Sequence, residues 1–335
     1  MLSPILVTGA TGFVGSAVAR AFAARGHRLR LLVRSRSTGG DRRNLAGIEA
    51  ELVEGDLLDP ASLAPAVAGC RAVAHVAADY RLWVSDPGPM HRANVEGTRA
   101  LMLAAKAASV ERIVYCSSVA ALGLAKDGAP ADERTPLDPA LIVGAYKRSK
   151  WEAQRVVLDL AREGVPIVVV NPTAPVGPRD VKPTPTGRMV LEAAAGRMPA
   201  YVDTGLNVAH ADDVGEGHAL ALERGRVGEC YILGGENLTM PPLLAMIDEA
   251  AGRRPQRRMR LAVGALWPVA VGAEALARVT GRAPLTTRDT LAMARKKMFF
   301  SSDKARAELG YAPRPARDAV RDAVAWFREA GMLRR

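Results

Sequence analysis

The 335-residue chain has three cysteines, Cys70, Cys116 and Cys230, scattered and odd in number. That excludes a disulfide framework and points to buried thiols in a reducing compartment. Its five histidines have no paired spacing, so no metal site is expected. Aromatic residues are 4% of the chain, and no basic run is interleaved with them. This argues against a nucleic-acid partner despite a formal charge of +11. Basic residues occur along the whole chain. A solvated arginine surface explains them, and attraction to phosphate-bearing ligands or an anionic membrane surface is the alternative. No stretch reaches the roughly 20 apolar residues that span a bilayer. The longest, Leu261–Ala277, contains Pro268 and Glu274. A core or lid helix is expected there, with a helix resting on a bilayer surface as the alternative. Met1-Leu2-Ser3-Pro4 carries no basic region, so no signal peptide is expected and the chain reads as cytoplasmic. Internal repeats and low-complexity tails are absent from the sequence.

What is present is globular. Apolar residues make up 49%, enough for a sizeable core. β-branched runs alternate with helical stretches through the first two-thirds. Strands are predicted at Ile5–Thr8, Leu29–Val33, Glu51–Glu54, Ala72–Val76, Arg112–Ser117 and Ile167–Asn171, with helices near Gly12–Arg25, Pro60–Ala68, Met90–Ala108 and Leu141–Arg162. Continuous apolar strands in such alternation predict an α/β fold, a doubly wound parallel sheet of the Rossmann type covered on both faces. After Asn171 the prolines Pro172, Pro175, Pro178, Pro183 and Pro185 break the rhythm. Shorter elements follow: a strand near Leu206–Ala209, a helix from Asp212 and a strand at Cys230–Leu233. The expected division is a dinucleotide-binding domain over 1–172 and a smaller, interleaved α/β substrate lobe over 173–335.

Gly9-Ala10-Thr11-Gly12-Phe13-Val14-Gly15 lies between the first strand and the first helix. Its glycines, three residues apart, allow a tight turn, close approach of a pyrophosphate and packing of the helix on the sheet, while free amides face the phosphates. The second strand ends Leu32-Val33-Arg34-Ser35-Arg36 with no carboxylate to hold the 2′-hydroxyl of NAD. Arg34, helped by Arg36 and Ser35, suits a 2′-phosphate. NADP(H) is therefore the expected cofactor and NAD(H) the alternative. Asp56, followed by Leu57, is a candidate for the adenine amine or for the cap of a helix starting at Pro60. Ala77 and Ala78 are small enough to let a cofactor lie on the backbone.

Tyr146 and Lys150 stand four residues apart on a predicted helix, so they share one face about 6 Å apart along the axis. A free tyrosine titrates near about 10. A neighbouring ammonium favours the phenolate and would bring Tyr146 toward proton transfer at neutral pH. Lys150 can also bond the nicotinamide ribose. At the end of the fifth strand a serine can hold the reacting oxygen; Ser118 is preferred, with Ser117 as the alternate. Tyr80, Arg81, Trp83, Arg179 and Lys182 are candidates for lining a substrate pocket. Against that, Trp83 could pack a seam and Arg179 could cap a helix or pair with Asp180. His210, Asp212 and Asp213 are expected to order a loop and start a helix.

These residues together resemble an extended short-chain dehydrogenase/reductase over nearly the whole length. The likeness rests on the Gly9–Gly15 turn, Asp56, Asn94 in Asn-Val-Glu-Gly-Thr, Ser118, Tyr146, Lys150, Asn171-Pro172-Thr173 and His210-Ala211-Asp212-Asp213-Val214. More narrowly the chain is similar to the dihydroflavonol-reductase-like branch and to bacterial hopanoid-associated sugar epimerases. That likeness is carried by the segments Ala78–Trp83, Val176–Gly187, Ala200–Asn207 and Leu233–Asn237. The resemblance implies Ser118, Tyr146 and Lys150 as a catalytic set. It also implies that Asn94 holds the active-site helix and a water near the lysine, and that Pro172 and Thr173 flank the nicotinamide. A homodimer through the Met90–Ala108 and Leu141–Arg162 helices is the family habit. Hopanoid membership implies a lipid-linked substrate and peripheral proximity to the inner membrane. Three functions follow: a reductase of a sugar-like, polyol or hopanoid-linked carbonyl, a sugar epimerase, or a non-catalytic dinucleotide-binding protein. Arg34 departs from the acidic residue usual in epimerases.

Overall fold

The computed structural model describes residues 3–35, 41–125, 128–280, 287–294 and 296–333. The first half is built of β1 (Ile5–Thr8), α1 (Phe13–Ala24), β2 (Leu29–Val33), β3 (Glu51–Glu54), α2 (Leu63–Val67), β4 (Ala72–His75), α3 (Gly88–His91), α4 (Gly97–Ala107), β5 (Arg112–Cys116), α5 (Ala145–Arg162) and β6 (Ile167–Pro172). The second half adds β7 (Ala174–Val176), α6 (Pro185–Ala194), β8 (Ala200–Val202), β9 (Gly205–His210), α7 (Ala211–Arg224), β10 (Cys230–Leu233), β11 (Glu236–Thr239) and α8 (Met240–Ala250). It closes with β12 (Met259–Leu261), α9 (Val263–Thr280), α10 (Arg288–Ala294), β13 (Lys297–Met298), α11 (Asp303–Leu309) and α12 (Ala316–Glu329).

Seven parallel strands form the central sheet in the order β10-β6-β5-β4-β1-β2-β3. β1, β4 and β6 are buried throughout, which is why they read as unbroken apolar runs rather than alternating ones. β3, at the edge, keeps Glu51, Leu52 and Glu54 exposed. One face packs Ile5 and Val7 against Val18, Phe22 and Ala219. The other packs Leu6 and Ile113 against Leu101, Met102 and Val157. This is the expected doubly wound fold. The chain winds outward from β1 through β2 to β3, then returns to the other side of β1 as β4. Ligands of such sheets bind at that reversal, beyond the carboxyl ends of the strands.

The second half is interleaved with the first. β10 joins the central sheet beside β6, and α7 packs along α1, where Gly215 meets the backbone of Ala17. The rest forms a second core of Val176, Val190, Leu243, Val320 and Phe327, under a small sheet in which β9 pairs with β7, β11 and β13.

Three predicted helices change at their ends or middles. The expected Met90–Ala108 helix is α3 and α4 joined by a π turn, Arg92–Glu96, which carries the buried Asn94. The expected Leu141–Arg162 helix starts at Ala145, because Gly144 has φ 88° and Pro139–Leu141 forms a separate turn capped by Asp138. The expected Pro60–Ala68 helix is a short 3-10 turn followed by α2. From Val263 onward the Leu261–Ala277 stretch forms a helix, α9, but among its described side chains only Ala270 and Ala277 are fully buried. A core role for it is therefore corrected.

Candidate active site

β1 delivers Thr8 to the switch point, and the chain turns at Gly9 with φ 76°. A Cβ on Gly9 would lie 2.7 Å from the Ala77 amide nitrogen, and one on Gly15 only 2.0 Å from the Gly9 carbonyl oxygen. Side chains at either place would push β4 or α1 away. α1 therefore starts directly over the turn. Its cap, Gly12, provides no side-chain bond, and its first turn holds no carboxylate. Thr11, Phe13 and Val14 complete a backbone cradle suited to a pyrophosphate. The buried Asn44 steadies it by donating from Nδ2 to the Thr11 carbonyl at 3.2 Å.

The rest of the predicted cofactor set lies around this cradle. Ala77 and Ala78 follow β4, with the Ala77 amide donating to Thr8 Oγ1 at 3.1 Å. Asp56 accepts from the Leu58 amide at 2.9 Å, and Leu57 packs against Gly97 of α4. The turn at Pro60 is capped by Asp59, not by Asp56. Pro172 ends β6; the next residue, Thr173, has a buried Oγ1 without a partner, an orphan of the kind a ligand satisfies. Arg34 is exposed at the end of β2. Its charge reaches Asp79, whose carboxyl is held below its ordinary range. Burial opposes that shift, but hydrogen bonds from Arg81 and the Arg81 and Arg34 charges outweigh it. Arg36 lies outside the described residues.

Tyr146 occupies the first turn of α5, partly buried, and Ser118 beyond β5 is near enough to act on its phenol. The buried Ser117 hydroxyl has no hydrogen-bond partner and acts on the Tyr115 phenol instead. The structure thus brings Ser118, and not Ser117, to Tyr146. Ser118 Oγ also accepts from the Ala120 amide at 3.1 Å, which fixes its rotamer. Lys150, 4% exposed, donates from Nζ to the Cys116 carbonyl at 2.9 Å and sits 5.4 Å over the Tyr115 ring. Burial lowers its pKa. The expected downward pull on Tyr146 does not prevail: burial pushes the phenol up to about 12, against the opposing influence of Ser118. At neutral pH the phenol is a proton donor.

Asn94 acts as a clamp. Its Oδ1 accepts from the Asp79 amide at 2.7 Å, and Nδ2 donates to the Asp79 carbonyl at 2.8 Å and to Ser149 Oγ at 2.9 Å. It holds the loop after β4 to α5 one residue before Lys150. Sequence reasoning missed the group behind it. In the β1–β4 register Thr8 stands opposite His75. Thr8 Oγ1 already accepts from the Val76 and Ala77 amides, so its proton goes to His75 Nδ1 at 2.7 Å. Thr98 donates to the Asn94 carbonyl at 2.7 Å, so His75 Nε2–H donates to Thr98 at 2.9 Å. Every lone pair and proton in this chain is assigned only if His75 is neutral and protonated on Nε2. A fully buried histidine at the end of an apolar strand was the available signal. Asn171 is a second hub, donating to the Ser118 carbonyl at 2.9 Å and to Gln154 Oε1 at 2.7 Å.

Tyr80 is 44% exposed, and Asp180 and Asp79 act on its phenol electrostatically. Trp83 is half-buried. Lys182 is exposed, with its charge felt by Asp41 beyond β2. Arg179 pairs with Asp212 at the start of α7 and lines a cavity with Ala17, Arg20 and Arg314. The pairing with Asp180 is corrected: that carboxylate accepts from the Thr184 amide at 2.9 Å and from its hydroxyl at 2.9 Å, and burial raises it to about 6. His210 caps α7, accepting from the Asp212 amide at 3.0 Å, and Asp213 binds Arg314. Lys147, beside Tyr146, was not singled out. Burial and the charge of Lys296 lower its pKa.

The model of the NAD dependent epimerase/dehydratase family matches residues 5–234. The chain belongs to this family. Across 338 aligned residues it is 39% identical to a putative dihydroflavonol 4-reductase of Synechocystis sp., covering 100% of this chain and 97% of the relative. It is 35% identical to sterol demethylase protein B of Methylococcus capsulatus, covering 98% and 99%. Among solved structures, that of gox2253 superposes with a TM-score of 0.89 at 61% identity, over 99% of this chain and 100% of that one. Members of the family are NAD(P)-dependent reductases, epimerases and dehydratases, which supports enzymatic activity.

Proposed function

We propose that this chain is an NADP(H)-dependent reductase/dehydrogenase acting on a carbonyl or alcohol of a bulky sugar-like, polyol or hopanoid-linked substrate. One observation carries the reading: the Tyr146 phenol beside Ser118, with Lys150 one turn further along α5, at the carboxyl edge beside the amide cradle. Ser118 holds the substrate oxygen and Tyr146 donates a proton to it. With its pKa raised, the phenol carries its proton at neutral pH, the form that the reductive direction needs. Buried Lys150 places a positive charge where negative charge develops on that oxygen. Bound NADP(H) would supply the hydride. Gly9, Thr11, Gly12, Phe13, Val14 and Gly15 would hold its pyrophosphate, Arg34 its 2′-phosphate, and Pro172 and Thr173 its nicotinamide end. The relatives named as a dihydroflavonol reductase and a sterol demethylase protein support a bulky ring-bearing substrate.

The family description keeps an epimerase as a second reading. Following NADPH absorbance against product separates the two. One NADPH consumed per product supports the reductase; turnover without net consumption overturns it. A fluorescence titration of the parent protein and Arg34→Asp with both nucleotides tests the cofactor. The parent should prefer NADPH and the variant should lose that preference. Tighter NADH binding by the parent would remove the NADP(H) assignment.

A further inference from the structure

The outward face of α9 is apolar, the reverse of a surface helix in water. Trp267 is 41% exposed, Val269 55%, Val271 44% and Leu276 63%. The outward positions between them are glycine, alanine and Pro268, so from Trp267 to Leu276 the described outward face carries no charge. Glu274, the carboxylate of the helix, is turned to Arg288, whose amide and Nε donate to it at 2.6 Å and 2.9 Å. Among the described residues no helix is long and apolar enough to cross a membrane.

The charge around the helix is equally uneven. Residues 253–297 hold eleven arginines and lysines against two carboxylates, Glu274 and Asp289. That segment alone accounts for nine of the eleven net positive charges, so the basic excess is not spread evenly along the chain. Arg253 and Arg258 are occupied by the buried Asp248, and Arg260 by Asp203. Arg254 and Arg257 before the α9–α10 hairpin, and Lys296 and Lys297 after it, are exposed. The far end of the hairpin also lies near the catalytic helix, since Lys296 acts electrostatically on Lys147.

We propose that α9 and its basic flanks are a docking surface for an anionic phospholipid bilayer. Trp267, Val269, Val271 and Leu276 enter the boundary between headgroups and acyl chains, while Arg254, Arg257, Lys296 and Lys297 meet the lipid phosphates. An apolar face between basic rims is how interfacial helices bind. A second copy of the chain would bring two rims of the same sign together, so charge complementarity selects the anionic surface.

The test is co-sedimentation of the full chain with vesicles of phosphatidylcholine alone and of phosphatidylcholine mixed equally with phosphatidylglycerol. The anionic vesicles should retain about tenfold more protein, and high salt should release it. Val271→Glu/Leu276→Glu and, separately, Arg254→Glu/Arg257→Glu should each reduce retention by about tenfold. NADPH binding and melting temperature should stay unchanged, which shows that the variants are folded. The proposal is overturned if the parent ignores anionic vesicles, or if the apolar-face variant binds them as well as the parent. It is also overturned if the parent forms a concentration-dependent dimer through this face without binding vesicles. Because the readout is retention and not turnover, its failure is distinct from failure of the catalytic reading.

Discussion

α5 and α9 are both 18 residues long, and they break the inside-outside rule in opposite directions. α5 buries Ser149, Lys150 and Gln154, polar groups that ordinarily face water. α9 exposes Trp267, Val269, Val271 and Leu276. α12 shows the ordinary case: Ala319, Val320, Ala323, Val324 and Phe327 are inside, with Arg317 and Arg321 out. Each inversion carries a local penalty in water that must be met elsewhere. On α5 it is met within the chain, because nearly every buried polar group has a named partner: Ser149 with Asn94, Lys150 with the Cys116 carbonyl, Gln154 with Asn171. On α9 nothing within the described residues covers the apolar face. A satisfied inversion marks a site the chain builds by itself, and an unsatisfied one marks a surface waiting for a partner.

The comparison predicts that α5 is sensitive to single atoms. Removing the phenol oxygen in Tyr146→Phe should lower kcat by about 10²–10⁴-fold. Dinucleotide affinity should move less than about twofold, since that substitution removes proton transfer and not the cradle. Steady-state kinetics beside a binding titration reads both; undiminished turnover would remove Tyr146 from the chemistry. Asn94→Ala comes next. It leaves the Asp79 amide and carbonyl and the Ser149 hydroxyl without their partner, so urea unfolding should show a loss of about 2–4 kcal/mol together with reduced kcat. If stability falls while the rate of the folded protein does not, the clamp positions the loop after β4 but not α5.

Much of the fold and the cradle was legible because local sequence dictates them. Ile5–Thr8 is apolar throughout and is followed by glycines whose spacing matches the turn, and Arg34 ends a strand where a carboxylate would have been visible. Tyr146 and Lys150 were found by helical spacing alone. Ser118 could not be separated from Ser117, because that choice depends on how the backbone leaves β5 toward the 3-10 turn it caps. His75 and Thr98 were silent for a different reason. Their roles come from pairing across strands and helices, Thr8 to His75 and His75 to Thr98, and no run of neighbours encodes that. The partner of Arg179 was hidden because it is Asp212, 33 residues away, and not the adjacent Asp180. The π turn that aims Asn94 inward was hidden inside an otherwise regular helical pattern.

The connection from the turn to α5 has a pH signature. Burial holds His75 down to about 3, with the Lys150 charge adding to it, whereas an unfolded histidine titrates near about 6.5. The folded ring is therefore the weaker base. Its contribution to stability is complete above about pH 6.5 and is lost as pH falls toward 3. His75→Gln should be less stable than the parent near neutrality. The gap should narrow by on the order of 2 kcal/mol at acid pH, because the variant has no buried ring to keep neutral. His218, held down to about 4 by burial, titrates in the same window and stays in both proteins, so the difference isolates His75. An equal gap at about pH 4.5 and pH 7 in urea midpoints would mean that His75 is not held neutral in the fold.

The smallest expected effect is the sharpest test of the contrast. If the outward face of α9 meets only water in the isolated chain, a charge placed there breaks no internal contact. Val269→Lys or Leu276→Lys should then change unfolding free energy by less than about 0.5 kcal/mol, as a surface substitution does. Solubility should rise. The same change at Val320, buried on α12, should cost more than about 4 kcal/mol, because it buries an unpaired ammonium. Chemical denaturation of the three variants decides the matter. Large destabilisation at Val269 or Leu276 would mean that another part of this chain covers α9, and its resemblance to α5 would then be closer than its difference: a helix satisfied from within. Neutrality would leave the apolar face without a partner in the isolated chain and so keep the two inversions distinct in kind.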